Sequence, residues 1–320
     1  MQFFKLILIC FIATCLMTNL TSAQDTDTIR INTTLITVGV TVKDKKGNYV
    51  KGLTKNQFSI FDDKIKQQIE FFSNEDAPIS FGIVYDLHPT TSERTKVILN
   101  SLKRFTDELP KKDDFFTIVF NDRGSLSLNF VPTAQQVKRH LSFEERNKPN
   151  SLYDAVFLAS EKIRKRPNQK KALIIISDGK DHYSHHSFSQ LSKHLKSFNA
   201  QIYAVILDEA EKWGYSDLFL DDDPPPIRID ESKLESIALK ELSRKSGGKP
   251  ETPFFKSIYE LLEIYKEIAT EMRRQYSIGF YTSMAEDKSH KVKVTVESAD
   301  RDKKLNLFYR KHYRSFASKP

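Results

Sequence analysis

The sequence predicts a doubly wound α/β fold with a mostly parallel sheet, inserted between two halves of a small β-sandwich-like domain. Near-continuous apolar runs of strand length alternate with helical apolar patterns, which is typical of strands covered on both faces and joined by helices. Strand patterns of period two come before and after this alternating region. These two observations predict the fold class, and the segments of the chain are described below in order from the first residue.

Residues 1–23 have the layout of a secretory signal. Lys5 precedes an apolar stretch from Leu6 to Met17, and small residues at 21–23 come before Gln24. The stretch is shorter than the about 20 residues that span a bilayer core. We predict cleavage after Ala23 and an exported protein, periplasmic or secreted.

A lipid anchor at Cys15 is the alternative, because the residues from Ile12 to Cys15 resemble a lipobox. Against it, Thr14 is unusual before a modified cysteine, and the apolar run continues beyond it. Cys10 and Cys15 both lie in this segment, so the predicted mature chain has no thiol for a disulfide or a metal.

The charge and hydropathy of the chain exclude two classes of partner. The net charge of +8 is spread along the sequence, which is typical of a solvated surface, so we expect no nucleic-acid partner. No second apolar segment approaches membrane-spanning length, so we expect no membrane span. The sequence leaves the oligomeric state open.

Residues 24–78 are predicted to supply the N-terminal strands of the split β-domain. The residues from Ile31 to Val42 alternate in places, and 43–48 form a polar turn. Phe58 to Lys64 and Ile69 to Phe72 are predicted to pair as a hairpin.

Residues 79–275 are predicted to form the α/β domain. Predicted strands cover 79–85, 115–120, 126–131, 173–177 and 202–207. Predicted helices cover 93–109, 134–141, 152–166, 188–198, 234–246 and 258–274. Residues 276–320 return to strand patterns, which we expect to pair with the N-terminal strands because the chain ends of an inserted domain lie close together.

Polar residues follow two of the buried strands. Asp86 follows the first strand of the α/β domain, Asp178 follows the fourth, and a helix begins near Asn150 and Ser151. Ligands of open parallel sheets bind beyond the carboxyl ends of the strands. We therefore expect these residues to converge at one edge of the sheet.

In these motifs the chain resembles the von Willebrand factor type A domains, and more narrowly the bacterial VWFA-related proteins first noted in acidobacteria. The resemblance rests on the order of several stretches from about Ile31 onward. They are Val40 to Gly47, Gly52 to Phe58, Ser151-Leu152-Tyr153-Asp154-Ala155, Ile176-Ser177-Asp178-Gly179 and the ending Arg310-Lys311-His312-Tyr313, where His312 stands in the place of the usual glycine.

The resemblance implies a metal-ion-dependent adhesion site for one Mg²⁺ or Mn²⁺. Its residues here would be Asp86, His88, Thr90, Asn150, Ser151 and Asp178. His88 replaces a serine and Asn150 replaces a threonine of the family pattern, whereas hard cations prefer small oxygen ligands. The site is therefore predicted to be degenerate, and a chain without any cation is an alternative.

Four of the eight histidines fall near the same predicted edge. They are His88, His182, His185 and His186. Imidazole suits Zn²⁺, so a site converted to a transition metal through His88, one of the other three and Asp86 is a further hypothesis. The competing interpretation is that these are solvated loop residues.

An insertion after Asp208 carries aromatic residues, among them Trp213, Tyr215 and Phe219. Exposed aromatic residues are enriched at binding hot spots, so this segment is a candidate partner surface. The same residues would also serve to pin the loop to the domain.

These observations predict a non-enzymatic binding protein that recognises a protein or a cell-surface ligand. The sequence contains no Gly-x-Ser-x-Gly elbow, no Gly-x-x-x-x-Gly-Lys loop and no His-Glu-x-x-His motif. One alternative is a structural component of an envelope assembly with a vestigial, metal-free site. Another is a metal-dependent hydrolase that uses Asp86, His88 and Asp178 to activate a bound water.

Overall fold

The computed structural model describes residues 34–74, 77–87, 92–121, 124–137, 152–181, 183–196, 198–207, 231–251, 258–282, 289–297 and 305–314. The predicted signal 1–23 falls outside these ranges. Residues Thr33–Pro320 form one compact unit. In the described part, no helix is long and apolar enough to cross a membrane.

The strands are, in chain order, β1 (Thr34–Lys43), β2 (Phe58–Asp62), β3 (Ile65–Gln67), β4 (Phe71–Ser73), β5 (Ile79–Asp86), β6 (Asp114–Asn121), β7 (Gly124–Leu128), β8 (Lys170–Ser177), β9 (Gln201–Ile206), β10 (Pro250–Glu251), β11 (Tyr276–Thr282), β12 (Ser289–Val296), β13 (Asn306–Phe308) and β14 (His312–Arg314). The helices are α1 (Ser92–Asp107), α2 (Leu152–Arg164), α3 (Phe188–Lys196), α4 (Glu231–Ser246) and α5 (Ile258–Arg273), with a 3₁₀ turn at Lys55–Gln57.

The central sheet has six strands in the order β10-β9-β8-β5-β6-β7. Strand β5 runs parallel to β6 and β8, β9 runs parallel to β8 and β10, and only β7 is antiparallel within this sheet. Every residue of β5 is buried, as its continuous apolar run requires. The predicted α/β fold with a mostly parallel sheet is confirmed.

Helices cover both faces of this sheet. On one face, Phe81 of β5 packs edge to face on Phe105 of α1 at a centroid distance of 5.6 Å. Tyr265 of α5 packs against the Phe105 ring. On the other face, Val84 packs in a cluster with residues of α2, α3 and α4, including Val156 and Leu239. Alternate residues of β5 therefore enter two separate cores, which is what a doubly wound sheet demands.

The remaining strands form two antiparallel sheets, in the orders β13-β1-β11-β4 and β14-β12-β2-β3. Strand β1 pairs with β11 from Thr34↔Thr282 to Val40↔Tyr276, so strands before and after the α/β segment lie side by side. Buried residues of both sheets form one hydrophobic cluster. The domain limits at 78/79 and 275/276 and a sandwich-like packing of these sheets stay predictions.

The predicted hairpin of residues 58–64 with 69–72 is wrong. Asp63 and Lys64 have positive φ angles of 44° and 75°, and they form a two-residue turn that returns β2 into the short strand β3. Strand β4 pairs instead with β11. A strand of three residues is too short to show an alternating pattern, which is why β3 escaped the sequence analysis.

Arg310 joins the outer strands to the α/β segment. Its guanidinium donates to the carbonyl oxygen of Thr37 in β1 at 2.7 Å and to that of Phe198, before β9, at 2.8 Å. The residue is buried, and this burial lowers the pKa of Arg310 to about 10, so the side chain remains charged at neutral pH. A charged donor thus satisfies two carbonyl groups from different parts of the chain.

We expect Arg310→Ala to lower the free energy of unfolding by about 1–3 kcal/mol, because it leaves buried carbonyl groups without donors. Urea unfolding followed by circular dichroism measures this change. Lys311→Ala is the matched control, since the neighbouring Lys311 side chain is exposed. Equal unfolding midpoints for the two variants would contradict the role of Arg310.

Candidate functional site

The carboxyl ends of β5 and β8 form the topological switch point of the central sheet. These strands are neighbours, yet the chain passes from β5 to β6 on one side and from β8 to β9 on the other. Ligands of open α/β sheets bind in the crevice that such a reversal leaves. Asp86 is the last residue of β5, and Asp178 follows β8 directly.

Asp86 is tied to the end of β8. The Ser177 hydroxyl donates to Asp86 Oδ2 at 2.8 Å, and it accepts the backbone N–H of Gly179 at 3.1 Å. Gly179 has a φ of 95°, a left-handed conformation that favours glycine, so the chain can turn sharply there. The Asp86 carboxylate is buried, and Ser177 fixes it across the switch point.

Asp178 is a buried carboxylate with a positive charge beside it. Its Oδ1 accepts the backbone N–H of Lys180 at 3.0 Å, and its Oδ2 lies 3.4 Å from Lys180 Nζ. Within the described ranges Oδ2 has no hydrogen-bond donor. Because a buried carboxylate requires a compensating positive charge, this oxygen suits either the Lys180 ammonium or a bound cation.

The loop after β8 also holds the start of α2. Asp181 Oδ1 accepts the backbone N–H of Tyr153 at 3.0 Å, and Ser184 Oγ accepts that of Asp154 at 3.1 Å. Ser184 in turn donates to Asp181 Oδ1 at 2.7 Å. Two N–H groups that a helix start leaves without intrahelical partners are satisfied in this way, which binds α2 to the same edge of the sheet.

Asp154 of α2 also contacts the loop after β8, because its carboxylate accepts four hydrogen bonds from His185 and His186. Oδ2 binds the backbone N–H and Nδ1 of His185 at 2.9 and 3.0 Å, and Oδ1 binds those of His186 at 3.1 and 2.6 Å. Burial raises the pKa of Asp154, but these hydrogen bonds outweigh it and hold the pKa below its ordinary value. The His186 ring also stacks on Phe157 at 4.1 Å.

The structure thus brings some of the predicted site residues to one edge. Asp86 and Asp178 lie at the switch point, and His185 and His186 direct Nδ1 to Asp154, which leaves Nε2 of each ring as its possible metal ligand. The other members of the predicted set lie beyond the described ranges: His88, Thr90, Asn150, Ser151, His182, Trp213, Tyr215 and Phe219.

The described residues fit the carboxylate part of a divalent-cation site. Asp86 and Asp178 offer buried carboxylate oxygens, which are preferred ligands of Mg²⁺ and Mn²⁺. The hydroxyl ligands that the resemblance implies fall on positions that the structure does not describe. The degenerate Mg²⁺ or Mn²⁺ site and its Zn²⁺ alternative therefore stay predictions.

The sequence analysis missed a second group of titratable residues, Asp62, Asp63 and His290. A signal for it was present, because Val292 and Val294 alternate toward the core and His290 has the same parity. Asp62 likewise continues the buried alternation of Phe58 and Ile60.

No family model and no curated protein matches the chain. Among similar solved structures, an aerotolerance-related membrane protein from Bacteroides fragilis is 16% identical and covers 61% of this chain and 99% of its own, with a TM-score of 0.38. BatB, a conserved hypothetical protein from Bacteroides thetaiotaomicron, is 18% identical over 60% of this chain and 98% of its own, with a TM-score of 0.38. A von Willebrand factor type A protein from Catenulispora acidiphila is 12% identical over 78% of this chain and 75% of its own, with a TM-score of 0.39. At these identities and TM-scores, no ligand, partner or activity is transferred to this chain.

We expect Asp154→Asn to lower the free energy of unfolding by about 1–3 kcal/mol at pH 7, because an amide cannot accept all four hydrogen bonds. The folded-state pKa lies below the ordinary value of 3.8, so the contribution of the carboxylate is fully present above pH 3.8 and is lost as the pH falls through the lowered pKa. Urea unfolding at a series of pH values from 7 downward measures both effects. Asp107→Asn, at an exposed ion pair with Lys103, is the control, and a variant deficit that stays constant down to pH 2 would contradict the assignment.

Proposed function

We propose that this chain is an exported binding protein that recognises a protein or cell-surface ligand at the carboxyl edge of its central sheet. One observation carries the proposal. Two buried carboxylates, Asp86 and Asp178, lie at the topological switch point, where open α/β sheets bind their ligands. The resemblance to von Willebrand factor type A domains, which rests on the sequence motifs, supports the same edge.

A divalent cation, Mg²⁺ or Mn²⁺, is proposed to join the carboxylates to the ligand. The cation would supply the positive charge that compensates two buried carboxylates. An anionic oxygen of the ligand would occupy one of its remaining coordination positions. The fixed position of Asp86 on Ser177 favours binding without rearrangement of the strand ends.

The polar groups of this edge favour binding over catalysis. Ser177 donates its hydroxyl proton to Asp86 and accepts from Gly179, so its hydroxyl is engaged in holding the strand ends. His185 and His186 direct Nδ1 to Asp154 rather than to a serine nucleophile. The catalytic motifs named above are also missing from the sequence.

A structural role in an envelope assembly is the second candidate, and Lys180 favours it. Its ammonium lies 3.4 Å from Asp178 Oδ2 and supplies positive charge where a cation would bind. On this alternative the site is vestigial, and the partner surface lies elsewhere on the chain.

The test compares the chain from Gln24, which contains all of the compact unit Thr33–Pro320, with its Asp178→Asn variant. Under the proposal, Mg²⁺ or Mn²⁺ raises the thermal midpoint above that in EDTA, since a ligand of the folded state stabilises it. The tagged protein also sediments with the envelope fraction of its source bacterium in Mg²⁺ but not in EDTA. We expect Asp178→Asn to lose both effects and the exposed control Asp107→Asn to keep them.

Either of two results would overturn the proposal. Sedimentation that persists in EDTA and in Asp178→Asn would favour the structural alternative. No cation response and no sedimentation under any condition would remove the edge of the sheet as a binding site.

A further inference from the structure

The outer sheets contain a group of two carboxylates and one imidazole, none of which belongs to the edge described above. Asp62 ends β2, Asp63 begins the turn that follows, and His290 lies in the adjacent strand β12. One possible ligand atom from each of the three residues lies within 4.8 Å of the others. Asp62 is 1% exposed and His290 is 0% exposed.

Each carboxylate is held by one oxygen and directs the other to the imidazole. Asp62 Oδ2 accepts the Tyr313 hydroxyl at 2.6 Å, and Asp63 Oδ1 accepts the backbone N–H of Lys291 at 2.8 Å. The opposite oxygens lie near His290 Nδ1, at 4.0 Å for Asp62 Oδ1 and 2.8 Å for Asp63 Oδ2. The groups that surround metal ligands orient them by this kind of hydrogen bond.

The hydrogen bond between His290 and Asp63 leaves one buried oxygen of this group unsatisfied. The Nδ1 of His290 makes its hydrogen bond with Asp63, while Asp62 Oδ1 has no donor in the described part of the chain. A carboxylate oxygen that is this deeply buried requires a donor or a cation. A single divalent cation would contact Asp62 Oδ1, Asp63 Oδ2 and His290 Nδ1 together.

The geometry points to a binding site for a divalent transition-metal cation of the Zn²⁺ class, with Asp62, Asp63 and His290 as its ligands. Two ligands of a tetrahedral Zn²⁺ with bonds of about 2.0–2.1 Å are about 3.3 Å apart, a separation that the observed 2.8 and 4.0 Å bracket. An imidazole ligand favours Zn²⁺ over Mg²⁺ and Ca²⁺, which prefer oxygen alone.

The cation has a route into this site. The Asp63 side chain is 38% exposed, so the group opens to solvent on that side, and a water molecule can complete the coordination there. On the inner side the Tyr313 ring stacks on His290 at a centroid distance of 5.0 Å and fixes the imidazole plane. Tyr313 is thus a positioning residue for both His290 and Asp62.

The test uses the tag-free chain from Gln24 after a chelator has removed its metals. A Zn²⁺ titration is monitored by calorimetry, and metal analysis of the dialysed protein gives the number of Zn²⁺ ions bound per chain. We expect one Zn²⁺ per chain. Asp63→Asn should weaken binding at least tenfold, since even the outer partners of metal ligands contribute about tenfold to hundredfold. Tyr313→Phe should weaken it by about tenfold to hundredfold. His290→Gln, which removes a ligand, should weaken it more than Tyr313→Phe does.

Two matched controls locate the cation. Asp107→Asn repeats the carboxylate-to-amide change at an exposed ion pair, and His185→Gln repeats the imidazole-to-amide change at the edge of the central sheet. Both should bind Zn²⁺ as the unaltered chain does. Thermal unfolding in EDTA checks that each variant folds. If His290→Gln does not fold, Asp63→Asn decides the outcome, because the Asp63 side chain is exposed.

Two results would overturn the inference. One is an unaltered chain that binds Zn²⁺ no more tightly than Asp63→Asn. The other is binding that His185→Gln removes and Asp63→Asn retains, which would place the cation at the central sheet instead.

Discussion

The antiparallel pairing of β1 with β11 is the constraint on which the rest of the structure depends. It joins residues before and after the α/β segment, which lies between them in sequence. The junction is tight, because a Cβ atom on Gly39 of β1 would lie 2.4 Å from Gln275 Oε1, just before β11. A larger side chain at position 39 would therefore require the buried Gln275 side chain to move. Closing so long a loop costs conformational entropy, which the burial of both strands offsets.

Two contacts join residues near this junction and Arg310 to the amino ends of strands in the central sheet. Lys170, the first residue of β8, donates to the carbonyl of Arg273 at 3.2 Å, and Arg310 reaches the chain just before β9. The end of α5 and the segment between β13 and β14 therefore contact the amino ends of β8 and β9, whereas Asp178 follows the carboxyl end of β8. Strand β8 has eight residues, so at about 3.3 Å per residue roughly 25 Å separate its amino end from its carboxyl end. Asp178 therefore lies at the opposite end of β8 from these contacts.

The sequence predicted the structure correctly where the residue pattern within one strand or helix is sufficient. The continuous apolar runs of β5 and β8 predict buried parallel strands, and the positions of Asp86 and Asp178 at the ends of these strands predict that both lie at one edge of the sheet. It was uninformative where a contact depends on register between distant strands. His290 has the parity of the buried Val292, but its meeting with Asp62 follows from the pairing of β12 with β2. A pattern within one strand cannot give that register, since the partner strand lies in another part of the chain.

Histidine content alone is for the same reason a poor guide to metal binding in this chain. The histidines next to α2 contact Asp154, whose two oxygens each accept two hydrogen bonds, so a cation could bind the Asp154 carboxylate only by displacing bonds already made. At Asp62 one buried oxygen has no donor among the described residues. A cation would replace the hydrogen bond between His290 Nδ1 and Asp63 Oδ2, and it would also add a contact to that oxygen. The free energy of binding a cation depends on whether the carboxylate oxygens already accept hydrogen bonds. His290, a buried residue of β12, is therefore a better candidate ligand than the histidine pair in the loop.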